Sequence, residues 1–244
     1  MTIENAFLAA LSLHDHAIFA RVLQPVEISS GTDLYLPDDP VDWVYFPSRG
    51  LVSLITVMED GDQAETAIIG REGAVGLVEA AGSGIMLYRA VVQIDLRALR
   101  APAADYLAAL GASESLRRAV TRHLELTIAE GRQTLSCLAH HAPEQRLAWW
   151  LLECQDRTGD EHLALTQEFL AAMLGIQRTT VTRVAGKLRS EGLIAYSRGR
   201  IGILDRPGLE RRCCECYRTI RLYRRRIEGA HRSDRVGPGK AVFM

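Results

Sequence analysis

The sequence has no long hydrophobic run, and its N-terminal residues are not typical of a secretory signal. None of its apolar stretches approaches the roughly 18–20 residues that a membrane-spanning helix requires. Its first residues include Glu4 and lack the basic cluster that opens a secretory signal. These absences argue against membrane insertion and secretion, and they predict a cytoplasmic protein with no membrane partner.

The short motifs and ligand sets of common enzymes are also missing. There is no Gly-x-Ser-x-Gly nucleophile motif and no glycine-rich phosphate loop ahead of a lysine. Residues 26–99 hold no histidine and no cysteine, which a metal-dependent enzyme built on a small β barrel would need as ligands. We therefore predict no catalytic residue and no enzymatic activity.

Cysteine is scarce, and its placement argues against disulfides. The five cysteines are Cys137, Cys154, Cys213, Cys214 and Cys216. Their number is odd and none of them lies in the first hundred residues, so a reducing compartment is favoured. The last three lie on a predicted helix, where Cys213 and Cys216 share the apolar face and Cys214 points elsewhere. Clustered cysteines can bind metal or sense oxidation, but packing as small apolar residues is the simpler interpretation, and no metal ligand is predicted.

Charge is distributed unevenly although the net charge is only −1. Residues 1–139 hold 10 Lys and Arg against 18 Asp and Glu, whereas residues 140–232 hold 17 against 11. A basic C-terminal part joined to an acidic N-terminal part indicates that one end of the molecule meets a polyanion such as nucleic acid.

The N-terminal half is predicted to be a β domain. Apolar spacing in residues 3–24 is typical of one or two short amphipathic helices. Between residues 26 and 99, short stretches rich in β-branched and aromatic residues, such as WVYF and LVSLITVM, alternate with turn signals such as LPDDP, FPSRG and EDGDQ. Several short strands at regular turn spacing favour an antiparallel sandwich or barrel.

A long helix is predicted to follow, over residues 113–139. Apolar residues recur there three or four positions apart or at multiples of that spacing, with charged residues on the other faces. A helix of about 25 residues with a single apolar stripe favours a coiled-coil partner, and packing within the chain is the alternative. The residues predicted to form the dimer interface are Leu116, Val120, Leu124, Ile128, Gly131 and Leu135.

A helix-turn-helix pattern begins at Gln167. It needs a small residue where the two helices meet, a residue tolerant of positive φ in the turn, and apolar inner faces. Ala171 and Gly175 occupy the first two positions. The inward apolar positions are Leu170, Leu174, Ile176, Val181 and Val184. Thr166 is placed to cap the first helix.

Polar side chains predominate on the outward face of the second helix. They are Gln177, Arg178, Thr179, Thr180, Thr182, Arg183 and Lys187. Such donors suit a helix in the DNA major groove, where arginine bonds guanine through two hydrogen bonds; a surface helix pair that happens to carry arginine is the alternative. A strand, a Ser-Arg-Gly-Arg turn and a second strand predict a wing whose Arg198 and Arg200 contact phosphates. A last helix is predicted from Pro207 to about Glu228.

This order of elements resembles the Crp/Fnr family of bacterial transcription regulators over about residues 20–205. The resemblance implies an α+β fold with a cyclic-nucleotide-binding-like jelly roll, a long dimerisation helix, a winged helix-turn-helix, and a homodimer that binds palindromic double-stranded DNA. It also implies that Arg178 and Arg183 contact bases. Thr179 stands where the family often carries Glu, so the half-site can differ. A contact with RNA polymerase stays open.

The resemblance is weaker in the effector pocket. The segment IIGREGAVG supplies Gly70, Glu72 and Gly73, which match the ribose-binding part of the family's cyclic-nucleotide cassette. The nearest basic residue to the family's phosphate-binding arginine, Arg89, is displaced by one position and therefore points to the other face of its strand. These four residues are the candidate effector site, but cAMP is not expected. The N-terminal cysteines that hold iron–sulfur in oxygen-sensing members are absent before Cys137.

Four parts are predicted along the chain: an effector domain over residues 1–112, the dimerisation helix over 113–139, the DNA-binding domain over 140–230 and a tail over 231–244. The predicted function is sequence-specific, dimeric transcription regulation, with the β domain controlling DNA binding allosterically. The alternative is a ligand-binding interaction module that does not bind DNA. No cofactor is predicted, and both the identity and the existence of an effector stay open.

Overall fold

The computed structural model describes residues 4–197 and 199–235 of the 244-residue chain. Within that part of the chain, no helix is both long and apolar enough to cross a membrane. Arg198, predicted at the tip of the wing, lies outside the described residues, as does the part of the predicted tail beyond residue 235.

Two short helices open the chain, α1 (Ala6–Ala9) and α2 (Leu13–Phe19). Asn5 and Ser12 precede them, and the side chain of each accepts a hydrogen bond from a backbone N–H of the first turn. This satisfies one of the donors that a helix start leaves without a partner. The short helices predicted for this segment are confirmed.

An antiparallel sheet of five strands follows. Its strands are β1 (Gln24–Ile28), β2 (Asp33–Tyr35), β3 (Trp43–Val57), β4 (Gln63–Ile69) and β5 (Arg89–Pro102). The hydrogen-bonded order is β1-β5-β3-β4, and β2 pairs with the N-terminal end of β5. The β domain predicted from alternating strands and turn signals is confirmed.

Strand β3 differs from the prediction, because FPSRG is not a turn but lies within one long strand. The pairing of β3 with β5 shifts register between Pro47 and Arg49 and again on both sides of Leu51, which is the signature of a bulge. Gly50 adopts φ +89° there, and a Cβ on it would collide with the carbonyl oxygen of Asp95. Turns and bulges use the same residue types, so the pattern could not separate them.

Two helices that the sequence pattern did not reveal pack against this sheet, α3 (Leu77–Ala81) and α4 (Ala103–Ala112). Tyr106 of α4 is fully buried in the β-domain core, and its hydroxyl donates a hydrogen bond to the carbonyl oxygen of Leu77 at 3.0 Å. Burying a large apolar side chain stabilises a fold by about 1.5–3 kcal/mol, and Phe46 is buried in the same core.

Helix α5 (Glu114–His140) is the long helix predicted from the sequence. Leu116 is fully buried in the β-domain core and Val120 packs against the same core. This corrects the predicted dimer interface: Leu116 is enclosed by its own chain, and Val120 is partly covered by it. The apolar stripe of α5 is therefore not one continuous surface: its N-terminal residues pack against the β-domain core of the same chain, and its later residues do not.

The rest of the stripe on α5 is exposed. Leu124, Ile128 and Leu135 are 37%, 44% and 70% exposed, and Leu138 is 46% exposed. Gly131 is also exposed, and a Cβ on it would meet no heavy atom within 4 Å. These five residues, called here the open face of α5, recur with alternating spacings of four and three, the seven-residue repeat of a coiled coil.

A winged helix-turn-helix forms the C-terminal part. Its elements are α6 (Pro143–Thr158), β6 (His162–Ala164), α7 (Gln167–Leu174), α8 (Arg178–Ser190), β7 (Ile194–Ser197), β8 (Arg200–Ile203), α9 (Arg206–Arg212) and α10 (Cys216–Arg235). The wing strands form an antiparallel sheet in the order β6-β8-β7. The two-stranded wing is confirmed, and β6 adds a third strand that was not predicted.

The single helix predicted from Pro207 to Glu228 is in fact two helices. Helix α9 ends at Arg212 and α10 begins at Cys216, because Cys213 adopts an extended conformation (φ −72°, ψ 162°). Cys214 within this break is 3% exposed, whereas Cys213 is half-buried. The prediction that Cys214 points away from the apolar side is therefore wrong, since the helical phase on which it rested is interrupted.

A buried ionic cluster joins the β domain to the C-terminal part. Arg157 of α6 forms ion pairs with Glu72 of the β domain and, at 3.2 Å each, with Glu130 and Glu153. Arg224 of α10 pairs with Glu130 and Glu153 at 2.7 Å. Although burial opposes ionisation, the two arginines hold the pKa of Glu130 below its ordinary value. Removing one partner from such a buried cluster typically costs about 3–5 kcal/mol.

Candidate nucleic-acid interface

The turn between α7 and α8 has the geometry that a helix-turn-helix requires. The hydroxyl of Thr166 caps α7 by accepting a hydrogen bond from the backbone N–H of Phe169 at 3.2 Å. Gly175 ends α7 at φ 60° and ψ 41°, a left-handed conformation that costs residues with a Cβ about 1–2 kcal/mol. The sequence predicted a positive φ at Gly175, and the structure has one.

Apolar inner faces hold the two helices together. Leu170 and Leu174 of α7 and Val181 and Val184 of α8 are at most 3% exposed and belong to one core. Ala171 and Ile176 are half-buried against that core. All of the predicted inward positions therefore lie on the inner side, which fixes the opposite face of α8 toward solvent.

The outward face of α8 is polar and accessible. Gln177, Arg178, Thr179, Thr182, Arg183 and Lys187 are exposed, and Thr180 is half-buried. The hydroxyl of Thr182 donates to the carbonyl oxygen of Arg178 within the helix at 3.1 Å. The face therefore presents cations and short donors over one side of the helix.

Two cations of α8, Arg183 and Lys187, share a weakly held partner within the protein. Arg183 and Lys187 each lie 3.5 Å from the carboxylate of Glu144 at the start of α6. Arg178 donates a hydrogen bond to Gln167 at 3.3 Å. Exposed pairs of this kind contribute less than about 1 kcal/mol, so a phosphate or a base edge can replace Glu144 at low cost.

A groove of about 430 Å³ separates α8 from the wing. Thr166, Arg178, Arg189 and Tyr196 are among the residues that line it. Arg189 was not predicted as a site residue, but it follows Arg178 by eleven positions, which is about three helical turns and returns to the same face. A search for cations at that spacing would have found it.

The wing places a second set of polar groups beside the groove. Gly199 adopts φ +73° at the turn between β7 and β8, and Arg200 is exposed at the start of β8.

The residues of this interface match a known family of DNA-binding domains. Residues 145–212, which include α7, α8 and the wing, match the Crp-like helix-turn-helix domain. The transcriptional regulator SdrP of Thermus thermophilus is 29% identical over 198 residues, 78% of this chain and 94% of that protein. The global nitrogen regulator of Nostoc sp. is 27% identical over 180 residues, 70% of this chain and 80% of that protein.

Solved structures of transcription regulators also resemble the chain, over both the β domain and the DNA-binding part. A Crp/Fnr-family transcriptional regulator from Thermus thermophilus is 29% identical, with a TM-score of 0.63 over 78% of this chain and 97% of that one. FixK2 from Bradyrhizobium japonicum shares the fold with a TM-score of 0.68 at 20% identity, over 79% of this chain and 98% of that one. Residues 145–212 thus match a Crp-like helix-turn-helix domain, and about four fifths of the chain is similar to regulators of the Crp/Fnr family. The protein is a DNA-binding transcription regulator.

In this regulator, the residues predicted to bind an effector make contacts with other parts of the chain. Glu72 accepts hydrogen bonds from Arg157 and from the backbone N–H of Gly70. A Cβ on Gly70 would lie 2.8 Å from the Cβ of Arg157, and one on Gly73 would lie 3.1 Å from the His123 ring. Close approach of α6 and α5 therefore accounts for both glycines.

Arg89 is paired at a different place in this regulator. Its guanidinium lies 2.8 Å from the carboxylate of Asp33 on β2. The structure thus gives Glu72 and Arg89 separate protein partners. A cavity of about 300 Å³ on the β domain, lined by Asn5, Phe46 and Arg97 among others, has neither of them in its lining.

The basic residues of the last two helices of the regulator do not form one open surface. Arg212 pairs with Glu191, and Arg224 is held in the buried ionic cluster. Arg218 and Arg225 remain exposed. Part of the positive charge counted in the sequence therefore stabilises the fold and is unavailable to DNA.

Proposed function

We propose that this regulator binds palindromic DNA as a homodimer, with α8 of each chain in successive major grooves. The observation that carries the proposal is α8 itself: its apolar side is buried, and its opposite side is an accessible row of arginine, lysine, threonine and glutamine. A recognition helix requires this division, because one face must fix its position while the other meets base edges.

Roles within the interface follow from side-chain chemistry and position. Arg178 and Arg183 on α8 are the base-reading residues, since a guanidinium can bond guanine O6 and N7 together. Thr179 between them is too short to act as the glutamate that accepts from cytosine. The remaining contacts are to phosphates and fix the register without reading sequence. They come from Thr166, Gln177, Thr180, Thr182, Lys187, Arg198 and Arg200, to which the structure adds Arg189.

The homodimer forms through the open face of α5. Leu124, Ile128 and Leu135 are large, apolar and exposed in the single chain, and they recur with the repeat that lets two helices interlock. Gly131 between them allows a close approach of the second backbone. A second copy of the chain can bury this face, because in a homodimeric coiled coil the same apolar residues of the two helices pack against each other.

Ligand-free protein is competent to bind DNA in this proposal. The carboxylate of Glu72, which would bind a cyclic-nucleotide ribose in the family, is engaged by Arg157 and ties the β domain to α6. Arg89 is engaged by Asp33. An allosteric signal, where there is one, acts on the buried ionic cluster between the two parts, and cAMP is not that signal. Contact with RNA polymerase stays a prediction.

Replacing Arg183 by alanine tests the assignment of α8. Arg183→Ala should relax the preference for one base pair of the site by about 1–3 kcal/mol, because a base contact is lost. The measurement is a set of binding isotherms on the preferred site and on its single-base variants. Arg218→Ala is the matched control, since it removes the same charge from the exposed side of α10.

The two variants are expected to differ in their base preference. Arg218→Ala should keep the full base preference, even where its affinity falls slightly at low salt. An Arg183→Ala protein that discriminates between sites as well as the natural protein would remove Arg183 from the base-reading residues.

A further inference from the structure

Four potential metal ligands converge where α5 ends and α10 begins. They are Cys137, His141, Cys214 and Cys216, and their ligand atoms all lie within 4.8 Å of one another. The three cysteines are at most 3% exposed, and the His141 side chain is 16% exposed. This cluster, called here the cysteine–histidine cluster, includes none of the residues proposed to contact DNA.

Two of the distances between donor atoms match those around one small ion, and all four donor atoms lie within 4.8 Å of one another. The Sγ atoms of Cys137 and Cys214 are 3.5 Å apart, and the Sγ atom of Cys216 is 3.5 Å from Nδ1 of His141. Four ligands about 2.0–2.3 Å from a central ion form a tetrahedron with edges of roughly 3.3–3.8 Å. A cluster of several iron and sulfide ions fills a larger space between its cysteines than these distances leave.

The orientation of His141 matches that of a metal ligand. While Nδ1 faces the cysteines, Nε2 lies 3.3 Å from the carboxylate of Glu215. A proton held on Nε2 by Glu215 leaves the lone pair of Nδ1 directed at the cysteines. Metal-binding histidines commonly donate their second nitrogen to a carboxylate in this way, which fixes the tautomer and the ring orientation.

Polar groups around the sulfur atoms distinguish the cluster from ordinary packing. The side-chain amide of Gln133 donates a hydrogen bond to the Sγ atom of Cys216 at 3.1 Å. The buried guanidinium of Arg146 interacts electrostatically with Cys137 and Cys214. Three thiolates and one divalent cation would leave a single negative charge, which Arg146 and Gln133 are placed to stabilise.

We propose that the cysteine–histidine cluster binds a single Zn²⁺ ion in tetrahedral coordination. Three cysteine thiolates with one imidazole are a common ligand set of structural zinc sites, and the complete shell leaves no position open for a substrate. Each thiol releases its proton to water as the ion binds, so binding involves no oxidation or reduction.

The ion would connect the dimer helix to the DNA-binding part. Cys137 and His141 lie at the end of α5, whereas Cys214 and Cys216 flank the start of α10. Closing the intervening chain through a metal restricts the unfolded state and stabilises the fold. The site thus fixes the direction in which the helix-turn-helix leaves the end of α5.

Metal analysis of the full-length, tag-free protein is the first test. The natural protein and Cys213→Ser should each retain about one Zn²⁺ per chain after extensive dialysis, and Cys214→Ser should lose it. Cys213 is the matched control, because it is the adjacent cysteine in the chain but its thiol donates to the carbonyl oxygen of Glu210. A strong chelator should lower the thermal midpoint of the natural protein, and added Zn²⁺ should restore it.

Cobalt binding tests the ligand set without depending on a variant that must fold. Co²⁺ added to the chelator-treated natural protein should give the intense visible bands of tetrahedral coordination and the near-ultraviolet bands of thiolate-to-cobalt charge transfer. Glu215→Gln, at a residue with an exposed side chain, should weaken Co²⁺ affinity by about tenfold and leave the band positions unchanged, because it loosens only the support of His141.

Three results would overturn the proposal. One is natural protein that carries no zinc and gives no thiolate–cobalt bands. Another is protein that contains iron with acid-labile sulfide. The third is native protein whose mass and peptide map show Cys137 and Cys214 joined as a disulfide.

Discussion

Glu65 is the residue whose surroundings differ most from what its position on an antiparallel strand suggests. Its carboxylate accepts hydrogen bonds from the indole N–H of Trp150 at 2.7 Å and from the hydroxyl of Ser53 at 2.6 Å. Trp150 belongs to α6, so the contact crosses from the β domain to the DNA-binding part. Burial raises the pKa of Glu65 to about 7 despite these hydrogen bonds.

Glu65→Gln should therefore change how stability depends on pH. The folded chain holds the Glu65 proton more tightly than the unfolded chain, so the unfolding free energy of the natural protein should fall as pH rises from about 4.5 to about 7. The variant lacks this loss and should be the more stable of the two above pH 7. Urea unfolding at a series of pH values measures the difference.

Glu125→Gln on the exposed side of α5 is the control for this experiment and should follow the natural protein at every pH. A Glu65→Gln profile parallel to the natural one over the whole range would show that Glu65 is ionised equally in the folded and unfolded chains.

The residues whose roles were predicted correctly from the sequence interact with residues close to them in the chain. Thr166 as a cap and Gly175 in the turn depend on backbone a few positions away. Glu65, Arg157 and His141 each also have a partner 75 to 85 residues distant in the chain. These partners are Trp150, Glu72 and Cys216, respectively. Periodicity carries no information about such partners, and so the ionic cluster and the cysteine–histidine cluster were both missed.

At the scale of elements, α5 shows how much an apolar periodicity in the sequence can predict about a helix. The pattern identified the helix and its apolar residues, but not what covers each of them. Leu116 points into the β-domain core, whereas Leu124 and Ile128 face solvent in the single chain. An apolar stripe that continues past the end of its own core is the part available to a second chain.

Placing charges on the open face of α5 should separate the dimer. Combining Leu124→Asp with Ile128→Asp should give folded monomers with little affinity for a palindromic site, because a dimer would bury four carboxylates, two from each chain, against one another in the coiled coil. Sedimentation gives the mass, and circular dichroism confirms the fold. Leu13→Asp is the control, since Leu13 is 90% exposed and lies on α2.

A dimer that persists in the double variant would place the interface on another surface. The Leu13→Asp chain should keep both its mass and its DNA affinity, which would rule out a general effect of a new surface charge.

Two glycines of the helix-turn-helix predict opposite changes in stability. Gly175→Ala should lower the unfolding free energy by about 1 kcal/mol, because φ is +60° there and an added methyl group disfavours it. Gly186→Ala should raise it by about 0.5–1 kcal/mol, because Gly186 lies within α8 and an added Cβ meets no heavy atom within 4 Å. Urea unfolding of both variants tests the turn, and changes of equal sign would contradict it.

At the scale of the molecule, the order of parts was predictable and their mutual placement was not. The spacing of apolar residues along the chain distinguished the β domain, the long helix and the helix-turn-helix, because each has its own apolar period. The contact between the parts depends on Arg157 reaching Glu72 and on Leu51 and Ile68 of the sheet joining the C-terminal core. Those pairings join residues far apart in the chain, which no local periodicity relates.

The same contact bears on how the molecule is controlled. Arg157 and Arg224 connect the β domain, α5 and both ends of the DNA-binding part through three carboxylates. With these groups paired, the parts are held together before any ligand arrives. We therefore expect the protein to read a symmetric site as a dimer without an added effector.

Selection of bound sequences from random double-stranded DNA, with purified full-length protein and no added ligand, tests this claim most directly. The predicted result is a palindrome whose half-sites are centred about one helical turn, ~34 Å, apart, as two α8 helices on one dimer require. Enrichment of single, unpaired half-sites would contradict the dimeric reader, and the absence of any enriched sequence would contradict ligand-free competence.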